Sequence, residues 1–317
     1  FDEMINYKEG DRGFKVKAED TYGYITISTL PVTYKTIPGP SLTLTESTIF
    51  AGTDAKKGVS MQIESVRGVH EVVIYRIENG SEVEALRETR SGEHTLNYAP
   101  EIDFTEATSK LKVVVSDGRE GKEATGYVKA YVNMDVATLN VGSQPLANNA
   151  HEKYPDAFGM VSLNDLKTYS VDYAIANEAN AKNIDFKFYC FGAAGSPRLY
   201  SMDNTGKDGE FSGSTGKLSA IKVKNLTRFA ILSNFDYENA TVTSISSEIL
   251  SSSITQSLLD PIAVGNIIAF RTGGSSAAGG GRIGVMKVIN ITEPKDLVSS
   301  NATARVMTVE IKFPQKK

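Results

Sequence analysis

Apolar and polar positions alternate with a period of two through much of the chain, and this pattern predicts strands. Val59, Met61 and Ile63 share one strand face, Val73, Tyr75 and Ile77 a second, and Leu111, Val113 and Val115 a third. Seven strand-like segments fall between residues 41 and 133: Ser41–Thr45, Val59–Val66, Glu71–Ile77, Val83–Arg87, His94–Tyr98, Leu111–Ser116 and Ala124–Val132. Asn79-Gly80 supplies the turn between the third and fourth, because both residue types accept positive φ. Seven short strands at this spacing predict an immunoglobulin-like sandwich over residues 38–133.

One phrase occurs twice. Val16-Lys-Ala-Glu-Asp20-Thr-Tyr-Gly23 is echoed by Val113-Val-Val-Ser-Asp117-Gly118-Arg-Glu-Gly121, and each leads into a second strand. Repetition of a hairpin argues for tandem β modules. Residues 1–37 then hold the last hairpin of a partial immunoglobulin-like module, its strands Phe14–Ala18 and Tyr24–Tyr34. Thr36-Ile-Pro38-Gly39-Pro40 reads as a stiff linker, since proline removes ladder donors. The chain starts at Phe1 and reads as a trimmed piece of a longer one.

From residue 134 the pattern changes. Asp165 to Lys182 holds the best helical stretch, and Ser-rich Ser244 to Leu259 is a candidate helix. A strand, Ile184 to Phe191, has the faces Phe186, Phe188, Cys190 and Lys187, Tyr189, Phe191. Ile221–Val223 and Phe229–Leu232 are shorter candidates. Asn266–Arg271 and Arg282–Ile291 flank the Gly-rich loop Gly273 to Gly281, and Ala304 to Phe313 closes the chain. The expected fold class is mainly β: tandem immunoglobulin-like sandwich modules, then an α+β, mostly antiparallel domain over 134–317.

Composition narrows the function classes. The 317 residues carry a net charge of −4 with no basic stripe, which argues against nucleic acid as a partner. No window is long and apolar enough for a membrane-spanning helix. Cys190 is the single cysteine and Trp is absent, so the disulfide and buried Trp of antibody domains are missing. Disulfide-poor β modules fit the cytosol or the outside of bacterial cells.

Candidate chemistry is sparse. Gly213-Ser-Thr-Gly216-Lys217-Leu218 has the look of a phosphate loop, but Phe211 stands at the first glycine position and Leu218 follows the lysine. The run from Asp203 to Glu210 carries oxygen ligands for calcium, yet Lys207 occupies a ligand position, so a solvated turn is favoured. Gly273 to Gly281 could approach a ligand with bare backbone, although a flexible hairpin connection is the simpler reading. Cys190 between aromatics is a buried thiol by default. His70, His94 and His151 lack metal-ligand spacing. No catalytic residue, metal site or cofactor is expected. Two aromatic groups are the binding candidates: Tyr22 and Tyr24 beside Gly23, and Arg198, Tyr200 and Asp203 after a Pro-containing loop. Tyr rings stack on sugars while Arg and Asp bond hydroxyls, and packing between modules is the rival role.

Several segments together resemble a module of secreted lipoproteins of Bacteroidetes. They are Ala137-Thr-Leu-Asn-Val-Gly142, Glu178-Ala179 before Asn183-Ile-Asp185-Phe186, Ser196-Pro197, Val264-Gly265-Asn-Ile-Ile-Ala-Phe270-Arg-Thr272 and Gly284-Val285-Met-Lys287-Val288-Ile-Asn-Ile291. The resemblance covers most of residues 137–313 and, more loosely, 1–133. It implies immunoglobulin-like modules before the C-terminal domain and a place on the outer membrane surface or in secretion. It also implies adhesion or recognition without bond chemistry, with an extracellular glycan or surface protein as partner. A glycan-binding accessory protein and a structural subunit of a surface assembly are the alternatives. The long Gly-rich loop departs from that pattern, and so does the lack of an acylated cysteine; a lipid anchor would lie on a missing N-terminus.

Overall fold

A computed structural model describes residues 13–31, 36–190, 195–293, 297 and 304–316. The first strands, β1 (Gly13–Glu19) and β2 (Ile25–Pro31), pair antiparallel and join no other sheet among the described residues. Asp20 builds the turn: its Oδ1 accepts from Tyr22 N at 2.9 Å and Tyr24 N at 3.0 Å, while Gly23 takes φ 83°. Residues 32–35, where the second strand was expected to end, and residues 1–12 lie outside the described residues.

The next ten strands are β3 (Ser41–Leu44), β4 (Thr48–Ala51), β5 (Lys57–Gly58), β6 (Met61–Glu64), β7 (Glu71–Glu78), β8 (Ser81–Thr89), β9 (Thr95–Tyr98), β10 (Glu101–Ile102), β11 (Thr108–Ser116) and β12 (Ala124–Val132). One sheet has the order β3-β6-β9 and the other β4-β12-β11-β7-β8; β5 and β10 form a small extra pair. The two sheets face each other over a core that includes Ile49, Met61, Ile63, Val72, Ile74, Leu111, Val113, Val115 and Val128. A three-stranded sheet against a five-stranded one, with β4 parallel to the last strand β12, is the immunoglobulin-like arrangement. Val73, Tyr75 and Ile77 share a face of β7 as expected, and it is the opposite face, with Val72 and Ile74, that points into the core between the sheets. Ala85 of β8 is the extra residue of a bulge opposite Ile74 and Tyr75.

The C-terminal part adds β13 (Met134–Gly142), β14 (Met160–Ser162), β15 (Lys167–Tyr169), β16 (Phe186–Cys190), β17 (Pro197–Ser201), β18 (Arg228–Leu232), β19 (Leu258–Leu259), β20 (Ile267–Arg271), β21 (Ile283–Ile291) and β22 (Val306–Pro314). Its sheets run β13-β22-β21-β20-β18 and β15-β14-β16-β17-β19, and every pairing is antiparallel. They pack face to face through Phe186, Phe188, Leu199, Phe229, Phe270, Met286 and Val309. Each sheet also buries its outer face. Tyr189 and Tyr200 pack under α1 (Val171–Ala176) and α2 (Glu178–Lys182), and Ala269 and Val285 under α3 (Val242–Glu248). Strand β16 is therefore buried on both sides, which is why it reads as a nearly continuous apolar run.

The expected helix over Asp165–Lys182 is also corrected. Lys167–Tyr169 is strand, and Asn177 divides the remainder with extended backbone, φ −158° and ψ 174°. The Asn177 side chain caps α2 by accepting from Asn180 N at 2.9 Å, the role in which Asn outcompetes a continuing helix. The Ser-rich candidate is α-helical only over α3, where Thr241 and Ser244 form a capping box, and adds one 3-10 turn at Ser251–Ser253. Gly284 marks the tightest point of the inner core: a Cβ there would sit 2.4 Å from Phe270 Cζ and 2.8 Å from Phe313 Cδ2. Gly284→Ala should destabilise the fold by about 1–3 kcal/mol through overpacking, read as a lowered midpoint in urea denaturation.

Candidate functional site

The hairpin places Tyr22 and Tyr24 at its tip, 87% and 76% exposed. Its flanks expose Val16, Ile25, Ile27 and Leu30 as well. The register explains part of this. Phe14, Val16 and Ala18 of β1 stand where Leu111, Val113 and Val115 stand in β11, relative to Asp20 and Asp117. In β11 those side chains lie in the sandwich core, whereas Val16 is 52% exposed. Val16 and Ala18 are thus exposed at positions whose counterparts in β11 are buried.

The second group is not brought together as an open surface. Tyr200 is 4% exposed, with its ring edge-on to Tyr189 at 5.8 Å, and a buried ring cannot stack on a sugar. Arg198 forms an ion pair with Asp260, Nε to Oδ2 at 2.9 Å. Asp203 binds Arg228 through both carboxylate oxygens, at 2.9 and 2.8 Å. The strand alternation that exposes Tyr on a one-sided sheet fails here, because α1 and α2 cover the outer face of this one.

Other polar groups singled out in the sequence also serve the fold. Asp208 accepts from the buried Lys187 at 2.5 Å and from Lys224 at 3.0 Å. Glu210 pairs with Lys207 at 2.7 Å and accepts from Tyr189 Oη. Each carboxylate of the calcium-like run therefore has a cation. The phosphate-loop look-alike closes on an anion of its own: Ser214 N and Thr215 N each donate at 3.0 Å to Asp172 of α1. Those backbone donors hold the Asp172 carboxyl well below the usual carboxylate range.

The Gly-rich connection is fastened along its length. Ser276 Oγ donates to Asp185 at 2.6 Å, Ala277 N donates to Lys182 O at 2.9 Å, and Ser275 Oγ bonds Asn225 at 2.6 Å. Its far end, Gly279 to Gly281, borders a cleft of about 680 Å³. Val242, Ile245 and Ile283 form apolar walls, and the charged lining is Arg282, Lys316 and Glu106. The cleft lies at the seam where Asn133 joins β12 to β13. Asn133 takes φ 49°, and its Nδ2 donates to Glu106 at 3.0 Å. Pattern reading missed this site, since a lone Arg after a glycine run and a Glu between strands carry no motif.

No protein-family model matches the chain, and no curated protein matches it in sequence. Among the described residues no helix is long and apolar enough to cross a membrane.

Asp185 ties the Gly-rich loop to the strand region and is fully buried, accepting from Leu163 N at 2.8 Å and Ser276 Oγ. Burial raises its pKa from 3.8 to about 7. Folding therefore favours the protonated acid. The contribution is fully present below the unfolded pKa and is lost as pH rises toward about 7. Urea midpoints measured across that window should fall with rising pH in the parent chain, and Asp185→Asn should flatten the fall.

Proposed function

We propose that the protein acts by contact, as an adhesion or recognition protein of the bacterial cell surface, and that the β1–β2 hairpin is its contact element. One observation carries this reading: six apolar or aromatic side chains are exposed on a two-stranded element that joins no other sheet among the described residues. A lone hairpin is marginally stable in water, and exposed strand edges invite pairing. Surface this apolar on an otherwise well-packed chain marks an interaction site. The resemblance of the segments quoted above to Bacteroidetes lipoproteins is what supports an extracellular setting, on the outer membrane or in secretion, with a glycan or a surface protein as partner.

A second reading, a subunit of a surface assembly, is favoured by the exposure of Val16 and Ala18 at positions whose counterparts Val113 and Val115 lie in a sandwich core. A partner's strands could complete that half-built layer. The two readings separate in solution. Recognition predicts that the chain sediments as a monomer and binds on a glycan array or to isolated surface protein, with binding lost in the double variant Tyr22→Ser, Tyr24→Ser. Assembly predicts concentration-dependent association that Val16→Lys abolishes. Neither substitution touches a described core, so both variants should keep the parent's unfolding transition. A monomer whose binding is indifferent to all three positions would sink the hairpin reading.

A further inference from the structure

Strand β18 forms one edge of its sheet, and only part of that edge is covered. Phe229 turns its backbone outward, where its N donates to Gln256 O at 2.8 Å and its O accepts from Gln256 N at 3.1 Å. Polar backbone groups alternate sides along a paired strand, so Ala230 and Leu232 bond β20 while Ile231 faces outward as Phe229 does. Opposite Ile231 the covering chain has left the edge through the 3-10 turn at Ser251–Ser253. No group among the described residues bonds the outer N–H and C=O of Ile231, nor the N–H of Ser233 or Asn234 just beyond. These residues form one side of a groove of about 560 Å³.

The walls say what fits there. Leu232, Phe235 and Ile249 belong to the apolar cluster beneath α3 and line the groove on that side. Glu248, at the end of α3, is the only charged residue of the lining. Its carboxylate is exposed and has no ion pair or hydrogen bond among the described residues. We propose that the groove takes one extended peptide segment of a partner protein, added to β18 as a further strand through the N–H and C=O of Ile231. The segment carries a lysine or arginine for Glu248, with apolar residues two positions to either side. Side chains alternate faces along a strand, so the basic residue and those neighbours meet the α3 wall together. A second β18 does not fit the edge, because pairing of two copies needs the outward groups of Phe229, and Gln256 holds them. This groove is separate from the hairpin and does not rest on the contact reading given above.

The test is NMR titration of the isotope-labelled chain with a capped heptapeptide, Thr-Val-Thr-Lys-Thr-Val-Thr, and in parallel with the same peptide carrying Glu in place of Lys. The lysine peptide should shift the amide resonances of Ile231 to Asn234 saturably and bind more tightly than the glutamate peptide. At saturation it should slow hydrogen exchange at the Ile231 amide about tenfold or more, since that N–H gains a partner. Ile231→Pro removes an outward donor and no ladder bond, the one strand setting that tolerates proline, so the fold should be kept while binding weakens about fivefold or more. Glu248→Lys leaves the edge intact and should reverse the preference between the two peptides. The proposal is overturned if the lysine peptide gives no saturable shift, if exchange at Ile231 is unchanged in its presence, or if Glu248→Lys keeps the parent's preference. Concentration-dependent self-association of the parent that Ile231→Pro abolishes would seat a second copy on this edge, and that also overturns it.

Discussion

One residue carries the join between the two sandwiches. Strand β12 ends at Val132 and β13 begins at Met134, with only Asn133 between them. Its positive φ turns the chain, a conformation Asn adopts more readily than other side-chain-bearing residues. The residue is then stitched to both sides: its N donates to Ala51 O at 2.9 Å, its O accepts from Gln315 N at 2.7 Å, and its Nδ2 reaches Thr53 and Glu106. With no linker to absorb motion, Tyr131 of β12 packs directly with α3 and Met134. Lys312 of β22, fully buried, lies 5.4 Å above the Tyr131 ring and 4.3 Å above Tyr237, and donates to the Tyr237 and Glu238 carbonyls. Burial pulls its pKa down to about 8. The cleft beside Arg282 exists because this joint sets one sandwich against the other.

Charge is handled differently in the two halves of the C-terminal part. Beneath the outer sheet face, Lys187 is buried with Asp208, and Lys224 and Asn204 O complete the group. Removing one partner would strand a charge in the interior, so this cluster constrains packing more than it adds net stability. Asp172, Asp203 and Asp185 are likewise spoken for by internal donors. Arg282 is the contrast, a cation that donates to the Ala278 and Pro314 carbonyls and has no ion pair among the described residues.

The sandwich was largely legible because its strands are one-sided: polar positions face water, apolar ones the core, and the period of two survives in the sequence. Where that broke, the cause was local. Val73, 4% exposed, is buried along with Val72 and Ile74, so alternation along β7 does not single out its core face, and β4 (Thr-Ile-Phe-Ala) carries only one fully buried residue, Ile49. In the C-terminal part both sheets are buried on two faces, so alternation no longer tells inside from outside. Tyr200 looked available for that reason. Asn177 and Ser170 split the apparent helix because cap preference depends on geometry that helical periodicity does not contain. The Arg282 cleft joins residues more than 170 positions apart in the chain, Glu106 and Arg282 among them, and a linear pattern holds no trace of that proximity.

The parallel pairing of β4 with β12 bears on how the molecule responds to load. The chain enters the sandwich ahead of β4 and leaves it at the end of β12, and the two strands run side by side through Thr48 to Ala51 against Lys129 to Val132. Tension applied along the chain therefore pulls these strands lengthwise past each other. Their hydrogen bonds are strained together, in shear, and cannot open one at a time like a zipper. Lys129 N bonding to Ser47 O and Asn133 N bonding to Ala51 O extend the patch at both ends. An element that meets its partner at one end of such a module would thus be tethered through a mechanical clamp.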